Sequence, residues 1–120
     1  AQEPEVISAI LAHHYLDAKQ RETATRLCFD LLADSGIYIT FENIRPTSAT
    51  GERIGLERWQ RFQIAHGKSA ANASEHAARF GRSYFPITIE AHLELLQASG
   101  FRSAELFWLS GLQAGFYAIK

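Results

Sequence analysis

Residues 5–21 read EVISAILAHHYLDAKQR, an apolar run followed by two adjacent histidines, an aromatic and an aspartate. Val6 to Leu11 is interrupted only by Ser8 and has the length of a strand covered on both faces. Asp17 is placed to cap a helix with its side-chain oxygen, and Gln20, three positions on, completes a capping box. Ala24, Leu27, Cys28 and Leu31 then recur at helical spacing, so the spacing predicts a helix whose inner stripe they form. It should end near Asp34-Ser35-Gly36, with the glycine as left-handed exit. GIYITFENI follows at once, with Ile37, Ile39 and Phe41 on one face and Tyr38 and Thr40 on the other. Strand, helix and strand joined by short turns make a right-handed crossover and a parallel pair. The fold class expected from this stretch is α/β.

The 120 residues suffice for one core, and one domain over 1–120 is expected. A formal net charge of -1 offers no basic field for a phosphate backbone, so nucleic acid is not an expected partner. Cys28 is the only cysteine, which rules out an intrachain disulfide, and its helical apolar setting predicts a buried thiol in a reducing, cytoplasmic compartment. No apolar stretch approaches the ~18 residues of a membrane span, and AQEPEV lacks the pattern of a secretory signal. The absence of any methionine leads us to expect either a processed product or a piece of a longer chain.

Pro46 to Gly51 reads as a turn-rich exit from the second strand. Two helices are expected next, one aligning Leu56, Trp59 and Phe62 and ending near Gly67. The other is capped by Ser69, with Ala70, Ala73, Ala77 and Phe80 on one side. About forty residues separate the second strand from Ile87, against about a dozen for a minimal crossover, so residues 47–85 read as a helical lid insertion. Thr88 caps a further helix with Ile89, Leu93 and Leu96 inside and Gly100 at its end. FRSAELFWL then sets Ala104, Leu106 and Trp108 against Glu105, Phe107 and Leu109, and a turn at Ser110-Gly111 returns the chain through AGFYAIK. An antiparallel hairpin is expected.

This order resembles the carboxy-terminal half of a class I S-adenosylmethionine-dependent methyltransferase. EVISAILAHHYL is similar to the fourth strand of that sheet, LLADSGIYITFENIRP to the helix and fifth strand, and ITIEAHLELLQASGFRSAELFWLSGLQAGFYAIK to the last helix and terminal hairpin. The resemblance implies a Rossmann-like sheet of about four strands and S-adenosylmethionine as cofactor of the intact parent, with a small-molecule acceptor. In that family a glycine-rich loop after the first strand holds the cofactor. The eight glycines here form no such loop, and Gly51 to Gly55 precede a lid helix, so the chain alone is expected to bind no cofactor and to be inactive. The cut leaves Val6 to Leu11 as an apolar strand with one unpaired flank, expected to pair with a second copy or with the missing amino-terminal half. The rival reading is a non-enzymatic module dimerising through that strand.

Candidate site residues follow from the corner where parallel strands end and ligands of open α/β sheets bind. His13 and His14 stand there; either one packs while the other is solvated, or they act. The resemblance places this corner near the sulfonium and the acceptor, where an imidazole takes a proton from the acceptor or shapes the pocket; His14 is expected as the catalytic residue and His13 on the cofactor side, an assignment the sequence leaves interchangeable. Glu42, Asn43 and Arg45 end the next strand and form either a polar substrate wall or a hydrogen-bonded turn before Pro46. Tyr84 and Phe85 line the acceptor pocket or pack the lid down. Arg53, Arg58, Arg61, Arg79 and Arg82 alternate with glutamates as solvated helix faces. His13, His14, His66, His76 and His92 offer no metal-ligand spacing, and Trp59 and Trp108 recur at core spacing.

Overall fold

The computed structural model describes residues 2–120. Strand β1 (Val6–Ile10) leads through a one-turn 3-10 helix (His13–Tyr15) to α1 (Ala18–Leu31) and β2 (Ile37–Asn43). Helices α2 (Ala49–Ala65), α3 (Ala70–Ala78) and α4 (Ile89–Ala98) follow, and β3 (Ser103–Ser110) and β4 (Gln113–Ile119) close the chain. The sheet order is β1-β2-β4-β3. β1 and β2 pair in parallel from Val6–Ile37 to Ile10–Phe41, while β4 is antiparallel to both β2 and β3. The parallel pair, the terminal hairpin and the two-helix insertion all stand as the sequence implies.

Local chemistry explains the helix starts. Asp17 accepts from the Gln20 backbone N–H at 2.8 Å while the Gln20 side chain accepts from the Asp17 N–H at 3.2 Å, so both halves of the capping box form. Ser48, Ser69 and Thr88 cap α2, α3 and α4 in turn. Two exits differ from expectation. Ser35, not Gly36, takes the left-handed conformation after α1, and Gly51 and Gly55 lie inside α2 rather than before it. At Gly55 the helix comes so close to the β3–β4 turn that a Cβ would stand 2.6 Å from Leu112.

The core lies on one sheet face. Tyr38 of β2 and Ala114, Phe116 and Ala118 of β4 pack there with Leu32, Leu96 and Phe101, flanked by Cys28 and Phe29 of α1 and Ile89 and Leu93 of α4. The inner stripe of α1 is Arg21, Thr25, Cys28 and Leu32, because Leu27 and Leu31 are more than half exposed. Cys28 itself is half-buried, and burial raises its thiol pKa. A second correction concerns β3. A bulge between Leu106 and Trp108 breaks the expected alternation, and Trp108 is exposed at the edge of the sheet, resting on Phe41, rather than in the core. The opposite sheet face carries Val6, Ile10, Ile37, Phe107 and Tyr117, every one at least 36% exposed. Among the described residues, no helix is long and apolar enough to cross a membrane.

Candidate functional site

The site is built where β1 and β2 end. Leu11 adopts a left-handed backbone (φ 51°), its N–H donating to the Phe41 carbonyl at 2.7 Å. That bend turns the chain into the His13–Tyr15 turn and lays the two histidines across the end of β2. They diverge there. His14 is buried, 2% exposed, whereas His13 is half-buried.

Glu42 is the hub. One carboxylate oxygen accepts from the His14 backbone N–H at 3.0 Å and faces His14 Nδ1 at 3.2 Å, and the other accepts from the Thr40 hydroxyl at 2.7 Å. Burial alone would push the Glu42 pKa up; the hydrogen bonds from His14 and Thr40, helped by His13 and His92, outweigh it and hold it below the usual value. An ionised Glu42 can only accept, so Nδ1 of His14 carries the hydrogen that faces it. The His14 ring lies between Tyr15, at 4.4 Å between ring centres, and Tyr84, edge-on at 5.9 Å.

His13 Nδ1 faces the Tyr38 hydroxyl at 3.2 Å. Desolvation lowers the His13 pKa despite the attraction of Glu42, so its ring is neutral near pH 7. Burial also raises the pKa of Tyr38, keeping that hydroxyl protonated as a donor.

Beside this corner, a cleft of about 590 Å³ opens between the insertion and the β3–β4 turn. Trp59 and Phe62 of α2 and Phe80 and Tyr84 beyond α3 supply aromatic walls, while Asn43 and Gln113 supply a polar floor. The Gln113 side-chain amide donates to Asn43 Oδ1 at 3.3 Å. Of the residues expected at a substrate wall, Asn43 and Tyr84 line the cleft. Glu42 lies beneath it, 1% exposed, with both oxygens engaged by His14 and Thr40. Arg45 pairs with Glu52 at 3.6 Å at the surface and sits 5.8 Å from the centre of the Phe80 ring. Phe85 has an exposed ring and joins the corner through its backbone, its N–H donating to the His14 carbonyl at 2.6 Å. Arg53 and Arg79 make exposed pairs with Glu57 and Glu75, as a solvated face should. Phe62, aligned with Leu56 and Trp59 in the helical pattern, is 60% exposed and lines the cleft, and Gln113, not singled out from sequence, joins it there. Among the described residues no group of three or more His, Cys, Asp or Glu side chains is placed to hold a metal.

No protein-family model matches the sequence. The carboxy-S-adenosyl-L-methionine synthase of Pseudoalteromonas atlantica is 28% identical over 106 residues, 88% of this chain and 44% of that protein. PigF with SAH superposes at a TM-score of 0.68 with 12% identity, over 99% of this chain and 31% of that one. A putative O-methyltransferase from Nostoc punctiforme superposes at 0.65 with 19% identity, over 100% and 32%. The fold is that of the class I S-adenosylmethionine-dependent methyltransferases. The chain thus spans less than half the length of the curated relative and about a third of each of these two solved chains. As to the methyltransferase cofactor, the glycines of this chain do not form a glycine-rich loop between a strand and a helix, and Gly51 and Gly55 are helical. The residues present do not make a complete cradle for it.

Proposed function

We propose that this chain is the carboxy-terminal half of an S-adenosylmethionine-dependent methyltransferase of the cytoplasm, a single unit that supplies the wall and the two-helix lid of the acceptor cleft. The observation that carries this reading is the incomplete sheet. β1 stands at one end of the order with its outer flank unpaired, and one whole sheet face presents Val6, Ile10, Ile37 and Tyr117 to solvent. A strand edge and an apolar face left open together support this reading, since the other half of a doubly wound sheet would cover them.

In this reading the cofactor supplies an activated methyl group, and the chain's own residues orient the acceptor and take its proton. The aromatic walls, Trp59, Phe62, Phe80 and Tyr84, hold an acceptor by its faces, and Asn43 and Gln113 fix its polar end. His14, buried beside cleft-lining Tyr84 with its Nδ1 facing Glu42, is the proton acceptor of this reading. Glu42 therefore acts through His14 as a positioning residue. His13, on the outer side of the same turn, faces the cofactor, while Arg45 and Phe85 hold the rim. Bond making needs only alignment and one base, which is what this sparse set offers.

The reading is tested with the full-length gene product and a cofactor carrying a labelled methyl group. Transfer of label to a small acceptor is expected, with kcat falling at least tenfold in His14→Ala. Full-length protein that transfers no label to any acceptor panel and binds no cofactor would favour the second reading, a non-enzymatic module dimerising through β1, which the exposed Val6 and Ile10 also support.

A further inference from the structure

Behind Glu42, on the side away from the cleft, α1, α4 and β2 enclose a small crevice of about 10 Å³. Arg21, Thr25, Thr40, Glu42, His92 and Tyr38 line it. Arg21 and His92 are 2% and 3% exposed, yet Nε and Nη1 of Arg21 and Nε2 of His92 have no hydrogen-bond partner among the described residues. The third guanidinium nitrogen, Nη2, is engaged, donating to the Phe85 carbonyl. A buried cation and a buried carboxylate thus line one crevice without a direct ion pair within 4 Å. Orphaned charged donors at this depth are costly, and although Leu95 and Leu96 supply part of the wall, the guanidinium, the carboxylate, the imidazoles of His13 and His92 and the three hydroxyls leave it predominantly polar.

We propose that the crevice binds one ordered water molecule that bridges Arg21, His92 and Glu42. The volume is about that of one water probe, too small for a larger ligand. The donor count also fits a water rather than an anion. Its oxygen accepts from Arg21 Nε or Nη1, and its two hydrogens serve the Glu42 carboxylate and the His92 imidazole, giving the two to four partners an internal water needs. An anion would face the Glu42 carboxylate at contact distance and is disfavoured. The bridge would turn Arg21 and Glu42 into a water-separated pair, tying α1 to the strand end that carries His14. Through Nη2 the same guanidinium reaches Phe85, whose N–H holds the His14 carbonyl, so one cation secures both sides of the histidine turn.

The test uses the whole chain in solution and in the crystal. A cross-relaxation signal between water and the Arg21 Nε proton with the sign of a long-lived internal water is expected, with one density peak within hydrogen-bond reach of Arg21 and His92. A crevice with no such peak and no water signal would overturn the proposal, as would side chains turned to satisfy one another directly. His92→Phe, which keeps a ring stacked on Phe116 but removes the nitrogen, is expected to lose the signal or shorten the residence of the water at least tenfold. An unchanged signal in that variant would place the water elsewhere.

Discussion

At the scale of single residues the histidine turn depends on Glu42, whose side chain spans from β2 to the chain after β1. Glu42→Gln keeps the shape and removes the charge, leaving the His14 backbone N–H, His14 Nδ1 and the Thr40 hydroxyl competing for one acceptor oxygen. The expected cost is about 1–3 kcal/mol, read as a lower denaturation midpoint. His92 gives a prediction about pH. Burial, with Arg21 adding to it, pushes its pKa down to about 4 from 6.5. The unfolded chain therefore binds a proton between those values that the folded chain refuses, and stability falls as pH drops through that window. Denaturant melts at pH 7 and pH 5 should differ by about 1–2 kcal/mol from this group. His92→Phe should flatten that dependence, leaving the shares from His13 and His76, whose pKa values burial lowers in the same direction. An equal pH slope in the variant would assign the effect to other groups. The polar character of these positions was legible in the sequence and their depth was not. Arg21 and Thr25 lay outside the inner stripe read for α1, because burial of an arginine is settled by a tertiary crevice rather than by periodicity.

At the scale of elements, caps and turns were the most legible features, since each is decided by neighbours within four residues. The capping box at Asp17 and the Thr88 cap form as read. Gly100 also does what its place after α4 implies, holding φ at 114° with the Phe29 ring 2.7 Å from where a Cβ would sit. Gly100→Ala is expected to destabilise by about 1–3 kcal/mol through backbone strain, visible as a fall in Tm with unchanged helical content. The stripe of α1 and the alternation of β3 were less legible. A one-position shift of the helix face and one bulge at Leu106/Trp108 are tertiary choices, and each turned an apparently inward residue outward. The cleft was half legible: Asn43 and Tyr84 follow from strand-end and lid-end positions, whereas Gln113 reaches the site from a hairpin seventy residues away.

At the scale of the whole molecule the open flank of β1 and the apolar face beside it belong to one surface. Val6 and Ile10 are 57% and 56% exposed, more than a free-standing sheet normally leaves on one strand. The isolated chain is therefore expected to self-associate at micromolar concentration in sedimentation. Val6→Lys with Ile10→Lys should return it to monomer while changing its intrinsic stability by less than about 1 kcal/mol. A native chain that stays monomeric up to high concentration would argue against β1 as a pairing edge. The central claim is that this surface awaits the half of a methyltransferase that carries the cofactor loop. It is tested most directly by calorimetric titration of the 120-residue chain with S-adenosylmethionine. No saturable heat is expected at micromolar cofactor, and stoichiometric binding with a micromolar Kd would contradict the claim.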